Sequence, residues 1–223
     1  MPGGFTYGHE KFFTNQLLLW GNNNYRLFPW RIHGIGVYES LIAELLLRKT
    51  TASQVLKVYP EFLCAFPRPE KLLESPTSSL ENIIKPLGLY KQRVKVLTDI
   101  ARVLVTKGLP RSLDEIRELP HVGIYIPNAI ACFCLGERVP VIDTNVSRIY
   151  SRFFGLNGPR DVRRNKEVQN LAWQLLPESG FVEFNYALLD FGALVCKGRG
   201  KPRCGNCPVN TRCQLFIEQS VKL

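Results

Sequence analysis

Leu119-Pro120-His121-Val122-Gly123-Ile124-Tyr125 opens a run with helical periodicity over residues 125–135. Two helices joined by a glycine-containing hairpin leave backbone N–H groups free at the start of the second helix. Those groups bind a phosphate oxygen well, often with help from a cation. Such a contact runs through the backbone of His121, Val122 and Gly123 and suits docking on a nucleic-acid backbone. The alternative reading of the same string is an ordinary turn between two packed helices.

Outward from the hairpin, most long segments repeat the helical pattern. Residues 10–20 put Phe13, Leu17 and Trp20 on one face, and 37–48 do the same with Leu41, Leu45 and Arg48 around Glu44. Residues 52–65, 91–106, 144–154, 165–176 and 182–190 follow suit. Strand-like alternation is scarce. Breakers fall at Gly21 to Asn24, Pro67 to Pro69, Gly88, Gly108 to Pro110, Gly136, and Gly155 to Pro159. The pattern predicts an all-α protein of many short helices.

The chain has 223 residues, 45% of them hydrophobic, which is enough for sizeable cores. Its formal net charge of +10 points to a polyanionic partner, nucleic acid first. No apolar run approaches the ~20 residues of a membrane span. No secretory signal or anchor is expected, so a cytoplasmic, nucleoid-associated protein is, or a nuclear one in a eukaryote.

Four of the seven cysteines form the run Cys196-x7-Cys204-x2-Cys207-x5-Cys213. Without an export signal, such a cluster reads as ligands before it reads as disulfides. Thiolate-only ligation suits zinc or an iron–sulfur cluster, and spacing does not choose between them. The intervening loop carries Lys197, Arg199, Lys201 and Arg203 among glycine and proline. Held at both ends by ligands, it would present charge to phosphates; a solvated loop is the plain alternative. Cys64, Cys132 and Cys134 read as core residues.

Val141-Ile142-Asp143-Thr144-Asn145 precedes a helix, and Asp143 or Thr144 is a good N-cap. Asp143 also lies about 20 residues after the hairpin, with the cysteine cluster some 50 residues further on. Glu44, on a leucine-rich helix, is either an isolated core acid or an acid lining a cleft.

That order of motifs resembles the endonuclease III superfamily of helix-hairpin-helix DNA glycosylases, from Phe28-Pro29-Trp30-Arg31 to Cys213. The resemblance implies a two-lobed fold. A six-helix barrel domain over 25–135 carries the hairpin, and 1–24 with 136–223 form the cluster domain. It also implies a four-iron–four-sulfur cluster on Cys196, Cys204, Cys207 and Cys213. The partner would be double-stranded DNA bearing a mismatched or damaged base, bound by a monomer. Tyr125 and Asp143 would lie near the mouth of the cleft between the lobes.

The superfamily's lyases have a lysine where this chain has Tyr125, which has no amine to form a Schiff base. The resemblance therefore implies base removal without strand cleavage. Glu44-Leu-Leu-Leu-Arg-Lys-Thr-Thr-Ala is similar to the glycosylases that act on G:T and G:U mismatches. The adenine glycosylases acting opposite 8-oxoguanine are the second reading. They have two glutamines in that stretch, two tyrosines after Gly-Leu-Gly where this chain has Gly88-Leu89-Tyr90-Lys91, and a further C-terminal domain that is not expected here. A non-catalytic lesion binder is the third. In the implied mechanism Asp143 stabilises the sugar cation, and Glu44 handles the flipped base or water. Tyr125 stacks or hydrogen-bonds, Arg48 fills the emptied stack, Lys49 meets the opposite guanine, and Asn145 orients Asp143 or water. The chain departs from the family at His121, where glycine is usual, at Pro127, and in a first cysteine gap of seven residues where six is common.

Overall fold

The computed structural model describes residues 7–156 and 165–220, and among these it contains helices and no strands. The chain divides into two compact units. One comprises residues 27–137; the other joins residues 1–26 to 138–223.

The 27–137 unit holds seven helices: α2 (Val37–Leu47), α3 (Ala52–Ala65), α4 (Pro69–Glu74), α5 (Thr77–Ile84), α6 (Tyr90–Lys107), α7 (Leu113–Arg117) and α8 (Tyr125–Phe133). Helix α2 is buried almost all round, from Tyr38 and Ser40 through Leu46, as expected of a central element. A capping box starts α3: the Thr51 hydroxyl accepts from the Gln54 N–H, and the Gln54 side chain accepts from the Thr51 N–H. Tyrosine hydroxyls inside this unit find backbone partners. Tyr38 donates to the Phe66 carbonyl at 2.9 Å, and Tyr59 to the Glu39 carbonyl at 3.0 Å. Burial pushes both phenols well above their ordinary range, so they serve here as neutral donors.

The other unit contains α1 (Tyr7–Asn24), α9 (Thr144–Phe154), α10 (Lys166–Leu175), α11 (Phe181–Leu194) and α12 (Gln214–Ser220). Phe13 and Leu17 of α1 are fully buried among Ile149, Phe153, Leu171 and Phe184. Trp20, on the same sequence face, meets the Phe191 ring edge-on at 5.3 Å.

The all-helical expectation holds, with corrections. Gly21 to Asn24 is not a break: α1 runs through it. Asn23 and Asn24 donate to the carbonyls of Leu19 and Trp20 four residues back, and Gly21 permits close packing on α11. Pro69 starts α4 at its first position, where a missing N–H costs nothing. Arg48 is not on the face of α2. The helix ends at Leu47, and Arg48 takes an extended conformation beyond it. Cys64 is exposed rather than in a core, whereas Cys132 is buried. Helices α4, α5, α7 and α12 have five to eight residues each, too short for a periodicity argument over 11 or more residues. Among the described residues no helix is long and apolar enough to cross a membrane.

Candidate active site and cysteine centre

Asp143 is the N-cap of α9. Its Oδ1 accepts from the backbone N–H groups of Asn145 (2.8 Å) and Val146 (2.7 Å), which satisfies two of the helix's orphan donors. Its Oδ2 accepts from the Asn145 side-chain amide at 2.5 Å. The capping role and a chemical role are therefore compatible: one oxygen is committed to the backbone, and the other is oriented by a side chain. Asn145 is itself oriented, because its Oδ1 accepts from Arg148 Nη1 at 2.9 Å. Arg148 in turn donates Nε and Nη2 to the Cys196 carbonyl (3.1 and 2.8 Å) and Nη2 to the Gly192 carbonyl. A continuous chain of hydrogen bonds thus links Asp143 to the backbone of the first cysteine of the cluster motif. A Cβ on Gly192 would stand 2.9 Å from Asn145 Cβ, and one on Gly198 would stand 2.7 Å from Arg148 Nη1. Both glycines leave room for this chain.

Cys196, Cys204, Cys207 and Cys213 line one small apolar pocket, with Phe153, Phe191 and Val209 in its wall. Arg152 donates Nη1 to Cys196 Sγ at 3.4 Å and to the Lys197 carbonyl at 2.8 Å. Burial pushes the Cys207 thiol up to about 12, and the other three sulfurs add to the rise. Burial raises Cys204 and Cys213 in the same direction. Cys204, Cys207 and Cys213, thiols whose ionisation burial and neighbouring sulfurs disfavour, form with Cys196 a donor set that a cationic centre would suit. Among the described residues no group of three His, Cys, Asp or Glu is gathered to hold a single metal ion. Arg199 and Lys201 are exposed in the loop between the first two cysteines, and Lys197 is half-buried.

In the 27–137 unit, Glu44 is buried on α2, with 8% of its surface exposed. Helix α2 packs on α8. Cys134, just past α8, feels the Glu44 charge: its thiol is pushed up first by burial, while a Ser40 hydrogen bond opposes the rise and Glu44 adds to it. Tyr125 is the first residue of α8 and half-buried. Pro127 follows at the third position of α8, within the first turn whose N–H groups lack helical acceptors anyway. No side chain caps α8, so its leading N–H groups remain suited to an anion. Val122 is buried, so any contact it makes to an anion is through its backbone. Gly123 and His121 both have left-handed backbone, at φ 62° and 65°. His121 is held there by two ties. Its carbonyl accepts from Arg48 Nη1 at 2.8 Å, and its Nε2 lies 2.9 Å from Asp99 Oδ2. Lys49, also left-handed, is exposed beside Arg48.

The structure thus gathers Asp143, Asn145 and Cys196 in one unit, and Arg48 and His121 in the other. Tyr125 and Asp143 belong to different units. Sequence reasoning missed Arg148, Arg93 and Asp99. The one signal available for Arg148 was its spacing, three residues after Asn145 and so on the same helix face.

Residues 42–178 match the HhH-GPD superfamily base excision DNA repair protein family. The thymine/uracil-DNA glycosylase of Methanothermobacter thermautotrophicus is 35% identical over 210 residues, 93% of this chain and 94% of that protein. The adenine DNA glycosylase of Mycobacterium tuberculosis is 32% identical over 94% of this chain and 70% of that protein. A solved thermostable thymine-DNA glycosylase, 35% identical, superposes with a TM-score of 0.87 and covers 96% of this chain and 99% of that one. Fold, motif order and full-length likeness agree: the chain belongs to the HhH-GPD superfamily of base excision DNA repair proteins.

Proposed function

We propose that this DNA glycosylase is monofunctional and hydrolyses the N-glycosidic bond of thymine or uracil mispaired with guanine in double-stranded DNA. The observation that carries this reading is Tyr125 at the start of α8, in a chain alike from end to end to thymine/uracil-DNA glycosylases. With no amine at that position, no Schiff base forms there, and the abasic strand is left intact.

The target base must leave the stack, and a mismatched base leaves it more cheaply than a paired one. As the glycosidic bond breaks, positive charge builds on the sugar and negative charge on the base. The Asp143 carboxylate stabilises that cation, and Asn145 fixes the oxygen that does so. Glu44, with Tyr125, handles the base or the attacking water. The backbone of His121, Val122 and Gly123 takes a phosphate, and Lys197, Arg199 and Lys201 take others. Arg48 and Lys49 meet the DNA at the opened site. Residues 25–135 serve as the barrel domain, and 1–24 with 136–223 as the cluster domain, in a monomer.

Cys196, Cys204, Cys207 and Cys213 would hold a four-iron–four-sulfur cluster. The thiol-only donor set round one apolar pocket suits such a cluster, with zinc as the alternative. When bound, the cluster's iron–sulfide core would supply the positive charge that lets four half-buried thiolates coexist. Purification without oxygen is expected to give a brown protein containing iron and sulfide. A colourless protein containing zinc would reject the cluster.

The test of function is single-turnover base release from duplexes carrying G:T, G:U or adenine opposite 8-oxoguanine, read with and without alkali. Release from G:T and G:U with strand breaks only after alkali is the expected result. The likeness to an adenine DNA glycosylase favours a second reading, which release of adenine would establish. Breaks without alkali would show a lyase and overturn the monofunctional reading.

A further inference from the structure

Arg93 is a buried cation that, among the described residues, pairs with no carboxylate. It spends its donors on backbone. Nε donates to the Gly88 carbonyl at 2.9 Å, and Nη1 to the carbonyls of Leu45 and Leu46 at 3.1 Å each. Nη2 donates to the Arg48 carbonyl at 2.8 Å and to the Thr50 hydroxyl. These acceptors belong to two separate stretches of chain. Three are carbonyls at the end of α2, which its own hydrogen bonds leave unsatisfied, and their partial negative charge favours a cation. The Thr50 hydroxyl lies just beyond them, and the fifth acceptor, the Gly88 carbonyl, belongs to the turn that starts α6. One planar guanidinium therefore rivets the end of α2 to that turn.

The riveted segments carry strained residues. Lys49, Leu89 and His121 are the non-glycine residues with left-handed backbone among those described. All three line one basin, together with Arg48, Arg93 and Lys95. Such conformations persist only where the surroundings over-determine them, and they cluster at working sites. Lys49 follows the Arg48 carbonyl that Arg93 holds. Leu89 is held on both sides, since Arg93 reaches Gly88 through Nε and donates its own N–H to the Leu89 carbonyl at 3.0 Å. Leu89 is nevertheless 55% exposed.

We propose that Arg93 is a positioning residue for opening the DNA stack. It presents Leu89 as an apolar wedge and Lys49 as the adjoining cation, at a fixed separation, to one disrupted base step. Apolar side chains pressed between base steps unstack them, and a wedge on a mobile turn would fold back instead. This inference rests on the glycosylase reading, but its test does not need base release.

The test compares Arg93→Lys, which keeps the charge and loses the planar fork, with Thr50→Val and native protein. Two quantities are read: affinity for a fully matched duplex, and the fluorescence rise of 2-aminopurine beside a G:U mismatch at saturating protein. Arg93→Lys should keep matched-duplex affinity within about threefold while losing about fivefold in the unstacking signal. Thr50→Val, which removes one acceptor at a half-buried site, should lose about twofold in that signal and carries the test if Arg93→Lys fails to fold. An undiminished signal in both variants overturns the proposal, as does a signal that falls in step with matched-duplex affinity. No fluorescence rise in native protein overturns it too. A native protein that unstacks the mismatch yet releases no base sinks the proposed function instead.

Discussion

The Asp143 carboxylate holds two positions at once, and substitution can separate them. As an N-cap it accepts from Asn145 and Val146 through Oδ1; as the proposed catalytic group it acts through the oxygen that Asn145 orients. Asparagine caps helices about as well as aspartate, and alanine does not. Asp143→Asn is therefore expected to keep the stability of α9 while base release falls by about 100-fold or more. Asp143→Ala should lose the same activity and about 1 kcal/mol of stability besides. Single-turnover excision alongside urea denaturation checks both, and equal stability of the two variants would remove the capping account. The Asp-Thr-Asn string made Asp143 and Asn145 legible in the sequence. Beyond Asn145, three residues earlier, Arg148 spends its donors on the carbonyls of Gly192 and Cys196, more than 40 residues later, and that part of its role was not legible. A side chain that reads backbone oxygens leaves no complementary residue type to search for.

At the level of elements, the hairpin is fastened to α6 through one carboxylate. Asp99 takes Lys95 and His121 on Oδ2 and Arg102 on Oδ1. The hydrogen bond from Lys95, then that from His121, holds its acid below the ordinary carboxylate range. A carboxylate with a depressed folded-state pKa adds stability above its unfolded value, and that stability disappears as pH falls through the folded value. Asp99→Asn should therefore melt below native protein at neutral pH, and the gap should close as pH drops below about 4. A gap that stays constant to lower pH would mean that the ties do not depend on the Asp99 charge. The hairpin itself was visible as a Pro-His-Val-Gly string, and its histidine stood out where glycine is usual. That histidine's partner, 22 residues earlier on an exposed helix face, was not visible. Nor were α4, α5, α7 and α12, each too short to show a period. Arg48 was misplaced for a related reason: leucine spacing marks a face but not where the helix stops. Here α2 ends at Leu47, and Arg93 takes the carbonyls of Leu45 and Leu46.

On the scale of the molecule, one unit is assembled from both ends of the chain, and α1 must find α11 across more than 150 intervening residues. Periodicity displayed the apolar faces of both helices but not that they pair, and it misread Gly21 as a stop. That glycine is where the two backbones approach: a Cβ there would stand 2.6 Å from Ala187 Cβ. Two opposed effects then bear on Gly21→Ala. Helix propensity favours alanine by up to about 1 kcal/mol, less near a helix end. Overpacking costs about 1–3 kcal/mol, and Ala187 has no flexible side chain with which to yield, so overpacking should win. Gly21→Ala is expected to destabilise the protein by about 1–2 kcal/mol in urea. Adding Ala187→Gly restores the room, and propensity lost in α11 then offsets that gained in α1, so the double variant should return to within about 0.5 kcal/mol of native. Hydrogen exchange should place the loss in residues 7–26 and 138–220 and leave 27–137 protected, because Phe13 and Leu17 belong to a core shared with α9, α10 and α11. If the two substitutions add instead of cancelling, the close approach of α1 and α11 is not what Gly21 is for.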